Sequence, residues 1–227
     1  MSAADEQRWN DAALAQPVTA AAWRLWRYDD AAVVLGCSQR TRLTAAVAAA
    51  ATMDVLVRSA GGGAVLVGPW MIGVSAVLPP AHPLLGDGLV ASYRWLGEGI
   101  AAALREVGVD HAQALSPHAA RACARDESLA WACFGGMSPW EVVVGERKIA
   151  GLAQVRRRHG VLLVAGVLVD DPPWDRLCRA LDRPAVQAER LRRVTTACTA
   201  QPGIAPVDAQ AAMAGMLAQA LGPTAAA

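Results

Sequence analysis

Three β-like runs follow one another without an intervening helix in the segment Trp140-Glu141-Val142-Val143-Val144-Gly145-Glu146-Arg147-Lys148-Ile149-Ala150-Gly151-Leu152-Ala153-Gln154-Val155-Arg156-Arg157-Arg158-His159-Gly160-Val161-Leu162-Leu163-Val164-Ala165-Gly166-Val167-Leu168-Val169. The runs cover Trp140–Val144, Ile149–Ala153 and Val161–Val169. A second series of strands without helices between them is predicted over Asp54–Leu78. Strands joined by short turns pair antiparallel. The sequence therefore predicts an α+β fold with a central mixed, largely antiparallel sheet flanked by helices.

The rest of the chain supplies further strands and helices around this sheet. Strands are predicted over Ala31–Leu35 and Asp54–Arg58, and a hairpin over Ala64–Val67 and Met71–Leu78 with Gly68-Pro69-Trp70 as its turn. Helices are predicted over Leu43–Ala51, over Leu89–Val107 with Asp87 as cap and Gly108 as stop, from Pro172-Pro173 through Leu181, and over Asp208–Leu221. No linker-like run interrupts the sequence, so residues 1–227 are expected to form a single domain.

Composition excludes several classes of protein. Apolar residues make up 54% of the chain, charged residues 18%, and the net charge is +1, which excludes disorder and gives no long-range attraction to nucleic acid or an anionic membrane. Ser59–Gly86 has no charged residue, but its many glycines and prolines suit buried strands and not a membrane span. Met1–Gln16 carries charges and lacks an apolar signal core, so a cytoplasmic location is expected.

The cysteines do not form a metal or disulfide pattern. Their number is odd, their spacing is irregular and no Cys-x-x-Cys pair occurs among Cys37, Cys123, Cys133, Cys178 and Cys198. Neither a structural zinc site nor a disulfide framework is therefore expected, and no metal-binding residue is predicted.

Lys148 is the only lysine in a chain that otherwise uses arginine for its basic residues. Arginine cannot replace a compact ammonium where a point charge is needed, because the guanidinium is broad and planar. Cys133 precedes this lysine in the Trp- and Phe-containing stretch Ala132–Glu141. A thiol beside an ammonium has a lowered pKa and becomes a nucleophile near neutral pH. The alternative is that Cys133 is an inert core residue.

Two other clusters are candidate binding sites. Gly61-Gly62-Gly63 lies within Arg58–Val65, and such a loop can hold a phosphate, a carboxylate or a thioester carbonyl through its amides. The alternative is a tight turn, and the loop matches neither of the common nucleotide-binding glycine motifs. Arg156-Arg157-Arg158-His159 is either a solvated hairpin turn or a cationic patch for an acidic partner or a phosphate.

Several segments together resemble the biotin/lipoate protein ligase superfamily, in particular its lipoate-protein ligase A and octanoyltransferase branch. Arg58–Val65 resembles the family's acyl-pocket signature, and Gly145–Gln154 resembles its lysine signature, Gly-x-(Arg/Lys)-Lys-(Ile/Val)-x-Gly-x-Ala-Gln. Weaker matches are Leu35-Gly36-Cys37-Ser38-Gln39, His159–Leu163 and Arg193-Val194-Thr195-Thr196. The chain departs from the family at Val57, where a second arginine is usual, and at Val67-Gly68, where many members have His-Asp.

The resemblance implies a ligase-like catalytic domain that attaches an octanoyl or lipoyl group to a specific lysine of a lipoyl domain or glycine-cleavage H protein. Cys133, Phe134, Ser138 and Glu141 match octanoyltransferases that form a cysteine thioester, with Lys148 assisting Cys133 and an acyl carrier protein as donor. The expected acyl- or substrate-binding residues are Arg58, Gly61, Gly62, Gly63, Ala64, Gly151, Ala153, His159 and Gly160.

Two alternatives remain open beside this transferase. A lipoate-protein ligase would use Lys148 and the glycine loop with ATP and magnesium through a lipoyl-adenylate, whereas the transferase requires no cofactor. A non-catalytic member of the family would bind the acyl group or its carrier without transferring it.

Overall fold

The computed structural model describes residues 1–50, 53–123 and 126–223. Seven helices lie in these ranges: α1 Ala3–Ala13, α2 Leu43–Ala50, α3 Arg94–Glu106, α4 Pro117–Ala122, α5 Trp174–Ala180, α6 Val186–Val194 and α7 Pro206–Leu221. The strands there are β1 Ala22–Arg27, β2 Ala32–Leu35, β3 Asp54–Val57, β4 Val65–Val67, β5 Met71–Leu78, β6 Ala112–Ala114, β7 Val142–Val144, β8 Arg147–Arg157 and β9 Gly160–Leu168. The last position of the helix predicted over Leu43–Ala51 lies outside the described residues.

Two sheets form the centre of the molecule. The larger has six strands in the order β1-β5-β9-β8-β7-β6, and every neighbouring pair in it is antiparallel. The smaller has the order β3-β2-β4, in which β2 pairs parallel with β3 and antiparallel with β4. The predicted α+β fold with a mixed, largely antiparallel set of strands is confirmed.

The predicted hairpin over Ala64–Val67 and Met71–Leu78 is wrong, although both segments are strands. β4 belongs to the small sheet, whereas β5 lies inside the large sheet between β1 and β9. Both edges of β5 are therefore already paired, which leaves no edge for β4. Trp70 ends the connection by donating its indole N–H to the Leu66 carbonyl over 3.1 Å, and its ring packs on Gly68.

The helix predicted over Leu89–Val107 begins later than expected. Ala91–Tyr93 forms a short 3-10 turn, α3 starts at Arg94, and Asp87 does not cap it. Gln154 donates to the Leu89 carbonyl over 2.9 Å, which holds this carbonyl in a tertiary hydrogen bond ahead of the helix. The predicted stop at Gly108 is confirmed, because this residue has a φ of +94° directly after the helix.

The large sheet has helices on both of its faces. Trp26 on β1 packs edge-to-face against Trp9 of α1, with ring centroids 6.1 Å apart. Trp23 lies on the opposite face of β1, because side chains alternate along a strand, and it donates to the Gly222 carbonyl just after α7. None of the helices in the described ranges has the length and hydropathy needed to cross a bilayer.

Candidate active site

The glycine loop and the Cys133 segment form one backbone unit. The Ala64 amide donates to the Trp131 carbonyl and the Cys133 amide donates to the Ala64 carbonyl, both over 2.8 Å. A Cβ on Gly63 would lie 2.6 Å from the Ala132 carbonyl carbon, so no side chain fits there. Ala64 is buried within this bridge and acts through its backbone. Two motifs separated by some 70 positions therefore meet at the candidate nucleophile.

Arg58 fixes the shape of the glycine loop. Its side chain is only 7% exposed and donates to the Gly61 carbonyl over 2.9 Å, to the Gly63 carbonyl over 2.7 Å and to the Val34 carbonyl over 3.3 Å. A guanidinium supplies several donors in a fixed fork, which suits three carbonyls better than a lysine would. Its observed contacts are therefore with the backbone that surrounds the site.

The early segment Leu35–Gln39 also contacts the backbone unit formed by the glycine loop and the Cys133 segment. Gln39 donates to the Trp131 carbonyl over 2.9 Å and accepts from the Gly36 amide over 3.2 Å. Gly36 packs directly on the Gly62 carbonyl, where a side chain would collide. This segment therefore positions the glycine loop against the Cys133 segment.

Lys148 lies on β8, which begins at Arg147, two residues before the predicted strand Ile149–Ala153. The preceding turn consists of Gly145 and Glu146, and Gly145 has a φ of +60°. The Lys148 side chain is 1% exposed, and its ammonium donates to the carbonyls of Cys133 over 2.7 Å and Gly136 over 3.0 Å. The Thr196 amide donates to the Lys148 carbonyl over 3.0 Å, which is the contact made by the late Val-Thr segment.

Gly151 lies next to both the Cys133 thiol and the Lys148 ammonium. A Cβ built on Gly151 would lie 3.4 Å from Cys133 Sγ, 3.5 Å from Lys148 Nζ and 3.2 Å from Lys148 Cε. Both reactive groups therefore border the same small space above one glycine. The absence of a side chain at Gly151 keeps that space open.

Glu141 completes the polar cluster. Its carboxylate lies 2.7 Å from Lys148 Nζ and accepts from the Ser138 amide over 2.7 Å. Burial raises the pKa of Glu141, and the Lys148 ammonium acts in the opposite direction. Trp140, with a φ of +70°, directs the chain into this turn. The side chains of Lys148 and Glu141 are 1% and 4% exposed, so water screens the interaction between them only little.

Cys133 lies where two cavities of different character meet. The first is an apolar slot between the two sheets. Its walls include Val34, Val65, Val67, Phe134, Val164 and Gly166. The second is a more polar groove lined by Gly61, Gly62, Gly63, Asp126, Glu127 and Ser138. Arg58, Cys133, Leu152 and Ala153 line both cavities.

The far part of the slot contains residues that the sequence analysis did not identify. Glu6 and Gln7 of α1 and Tyr28 after β1 line the slot. The Tyr28 hydroxyl donates to the Glu6 carboxylate over 2.8 Å. The spacing of the buried residues is helical, because Ala3, Glu6 and Asn10 lie on one buried face of α1. Polar side chains at this spacing are typical of a solvated face, which is why sequence reasoning misses them.

His159 and Gly160 lie away from this site and line neither cavity. They belong to the turn between β8 and β9, where the His159 ring is 2.9 Å from the Leu14 carbonyl and Gly160 packs on Val18. The structure therefore does not bring these two expected binding residues to Cys133. The neighbouring Arg156, Arg157 and Arg158 are exposed, as predicted for a solvated turn or a cationic patch.

The described residues contain no cluster of three or more His, Cys, Asp or Glu side chains with a geometry suited to a metal ion. The predicted binding residues that line the two cavities beside Cys133 are Arg58, Gly61, Gly62, Gly63, Gly151 and Ala153.

Comparison with known proteins agrees with this architecture. The chain is 30% identical over 145 residues to octanoyltransferase LipM of Exiguobacterium sp. (strain ATCC BAA-1283 / AT1b), which covers 62% of this chain and 51% of that protein. The four curated relatives found, all octanoyltransferases LipM, are matched over 44% to 66% of their own length.

Solved structures share the fold. A lipoate-protein ligase A bound with ATP superposes with a TM-score of 0.65 at 18% identity, covering 95% of this chain and 79% of that one. A bipartite lipoate protein ligase from Thermoplasma acidophilum, described with its E2 lipoyl domain, has a TM-score of 0.62 at 20% identity and covers 93% of this chain and 76% of that one. The lipoyl protein ligase A/B catalytic domain profile matches residues 3–198. The chain therefore belongs to the lipoyl protein ligase A/B catalytic domain family within the biotin/lipoate ligase superfamily.

Proposed function

We propose that this chain transfers an octanoyl or lipoyl group to a lysine of a lipoyl domain or glycine-cleavage H protein through a thioester on Cys133. The observation that carries this proposal is the position of Cys133 where an apolar slot meets a polar groove, beside the Lys148 ammonium. The names of the octanoyltransferase relatives support the same activity.

The slot suits the acyl chain and the groove suits the two proteins that exchange it. Most residues that line the slot are apolar, among them four valines and Phe134, so it removes a hydrocarbon chain from water. Asp126 and Glu127 line the groove, and because Asp126 is paired with Arg190 over 3.3 Å, Glu127 supplies the charge that favours an approaching lysine side chain. The exposed Arg156–Arg158 patch suits an acidic surface on a carrier protein.

In the first step the Cys133 thiolate attacks the thioester carbonyl of the acyl carrier, the carrier thiol leaves, and it takes up the proton that the Cys133 thiol released. In the second step the acceptor amine attacks the Cys133 thioester, an amide forms, and the amine proton returns to the departing thiolate. Each step exchanges one bond to the acyl carbon for another and needs no added cofactor.

Lys148 assists Cys133 in two ways, through the electric field of its ammonium and by holding the Cys133 segment in position. Two carbonyls and Glu141 surround its ammonium, so it is held in place before the substrate arrives. A fixed cation in a buried site stabilises a thiolate and the oxyanion that develops on the acyl carbonyl. Its bond to the Cys133 carbonyl also holds the nucleophile segment against β8.

The test is acylation of the purified chain by octanoyl acyl carrier protein, followed by intact mass and by transfer to a lipoyl domain. We expect one acyl adduct that Cys133→Ala abolishes. Cys123→Ala is the matched control, because Cys123 is also partly buried and lies in another part of the fold, where it should have no effect.

Two results would contradict the thioester mechanism. A requirement for ATP and magnesium with free lipoate, undisturbed by Cys133→Ala, would show the ligase reaction instead. Binding of the acyl carrier without transfer by either route would show a non-catalytic protein.

A further inference from the structure

All three N–H groups of the Lys148 ammonium have an acceptor. A lysine ammonium offers three donors and has no lone pair. Two of its donors go to the carbonyls of Cys133 over 2.7 Å and Gly136 over 3.0 Å. Glu141 Oε1 lies 2.7 Å from Nζ and accepts the third. Of these three acceptors, Glu141 is the one that carries a negative charge.

Two backbone amides hold the Glu141 carboxylate in this position. Ser138 donates to Oε2 over 2.7 Å, and Leu152 donates to Oε1 over 3.3 Å. The carboxylate is buried, so it cannot turn away from Lys148 without losing hydrogen bonds that water does not replace. The contact between carboxylate and ammonium is therefore fixed before any substrate binds.

Lys148 is also the amine that lies beside the candidate nucleophile. Cys133 Sγ and Lys148 Nζ lie 3.4 Å and 3.5 Å from the same Cβ position on Gly151, so the sulfur and the nitrogen are no more than 6.9 Å apart. The carbonyl carbon of a thioester is one bond from the sulfur and therefore close to this nitrogen. A group held beside its target reacts far faster than the same group in solution. A neutral Lys148 would therefore compete with the lysine of the acceptor protein.

This competing reaction would inactivate the protein. The nitrogen of a neutral Lys148 attacks the acyl carbon, a carbon–nitrogen bond forms, the carbon–sulfur bond breaks, and a proton moves from the nitrogen to the departing Cys133 thiolate. The resulting amide resists the thiols and amines that cleave a thioester, so the acyl group can no longer be passed on. The cation beside Cys133 is lost in the same step. An ammonium does not start this reaction, because it has no lone pair.

We propose that Glu141 protects the acylated protein against transfer of the acyl group to its own Lys148, by keeping that side chain in its ammonium form. The proposal rests on the proposed function, since it requires a thioester on Cys133. Burial by itself favours the neutral form of an amine. A buried carboxylate at 2.7 Å opposes this effect, because each charge stabilises the other where water screens little. Glu141 is thus a positioning residue that acts through Lys148.

Incubation of Glu141→Gln with octanoyl acyl carrier protein tests this role. Glutamine keeps the shape of the side chain and removes its charge. Hydroxylamine then cleaves thioesters and leaves amides, so an octanoyl mass that remains reports an amide. Lys148 is the only lysine in the chain, so a lysine-specific protease cuts the unfolded chain once, and an amide on Lys148 blocks that cut. We expect roughly tenfold more Lys148 amide in Glu141→Gln than in the unmodified chain at equal Cys133 loading.

Glu146→Gln is the matched control, because Glu146 lies exposed in the turn before β8, two residues from Lys148. Equal amounts of Lys148 amide in the two glutamine variants would overturn the proposal. Glu141→Asp keeps the charge but withdraws it by about 1.5 Å, so it should form less amide than Glu141→Gln and more than the unmodified chain. If Glu141→Gln does not fold, Glu141→Asp decides, and an amount of amide no greater than in the unmodified chain would refute the role.

A second measurement does not depend on acyl transfer. Formaldehyde with a borohydride methylates neutral amines, and methylation of Lys148 also blocks the single protease cut. We expect Lys148 to be methylated faster in folded Glu141→Gln than in the folded unmodified chain, with the unfolded chain as the positive control. Equal rates in the two folded proteins would contradict the stabilisation of the ammonium by Glu141.

The two measurements separate this proposal from the proposed function. If Cys133 is never acylated while methylation of Lys148 still depends on Glu141, the transfer mechanism is wrong and Glu141 nevertheless stabilises the ammonium. If Cys133 is acylated and removal of the Glu141 charge produces no Lys148 amide, the transfer mechanism stands and the protective role is wrong.

Discussion

A single methyl group at Gly151 should abolish most activity while leaving the fold intact. In Gly151→Ala the new Cβ lies 3.2 Å from Lys148 Cε and 3.4 Å from Cys133 Sγ, which is slightly tighter than ordinary contact. These neighbours need to move by only a few tenths of an ångström. The methyl group nevertheless fills the space that the proposed mechanism assigns to the thioester carbonyl, between sulfur and ammonium.

The expected magnitudes differ sharply for stability and activity. Crowding at Gly151 is offset by the lower conformational entropy of the unfolded alanine variant, which stabilises by about 0.4–1 kcal/mol, so the net change should stay within about 1 kcal/mol. Misplacing the reacting atoms by about 1 Å costs roughly 100-fold in rate. That loss in kcat/KM equals about 2.7 kcal/mol of transition-state stabilisation.

The assay compares the rate of Cys133 acylation with the thermal midpoint of each variant. Gly160→Ala is the contrasting substitution, because its Cβ would lie 2.5 Å from Val18 Cγ2, far from the thiol. It should lose about 1–3 kcal/mol of stability and keep its acylation rate per folded molecule. The reasoning is refuted if Gly151→Ala retains more than about a third of the acylation rate at unchanged stability.

Four further substitutions test the groups around the site. Lys148→Met should destabilise by about 3–5 kcal/mol because it leaves Glu141 buried without its cation. Adding Glu141→Gln should restore part of the thermal midpoint but no acylation, and a double variant less stable than the single one would contradict the pairing. Burial raises the pKa of Glu6 above its ordinary value of 4.5, so the native state binds its proton more tightly than the unfolded state. The stability associated with this group is present below pH 4.5 and is lost as the pH rises through the folded-state pKa. Glu6→Gln should therefore flatten the decline measured by urea unfolding between pH 4 and pH 8, whereas two parallel curves would exclude this role. Arg58→Lys should cost about 2 kcal/mol and at least tenfold in acylation, because one ammonium cannot bridge the carbonyls that the guanidinium holds. If Arg58→Lys acylates Cys133 as fast as the unmodified chain, the forked geometry of the guanidinium is not needed.

Much of the strand content could be predicted from local pattern alone. The runs before, within and after the Lys148 signature are strands, since continuous apolar segments bounded by glycine suit buried strands. The partner with which a strand pairs could not be predicted in this way, because it depends on which strand edges are free in the folded sheet. The strand Val65–Val67 joins the small sheet because β5 is paired on both edges, and nothing in its own residues indicates this.

The candidate site also contains residues that could be predicted from the sequence and residues that could not. Lys148 and the glycine loop could be predicted because a lone lysine and a glycine triplet mark them, and Cys133 because the stretch around it resembles octanoyltransferases. Glu6 and Tyr28 could not, since a carboxylate on a short helix and a tyrosine after a strand carry no local mark of burial. A matching motif predicted His159 as a binding residue, and the structure places it in the turn between β8 and β9, beside the Leu14 carbonyl.

Cys133 belongs to neither sheet, yet it is attached to both. Its amide is bonded to the loop that leads into the small sheet, and its carbonyl is bonded to the ammonium of the large sheet. A partly folded or newly synthesised chain in which only one sheet has formed therefore lacks one of the two bonds that hold Cys133 in place. Under the proposed mechanism such a chain would not acylate bystander lysines, and loss of acylation on heating should coincide with global unfolding.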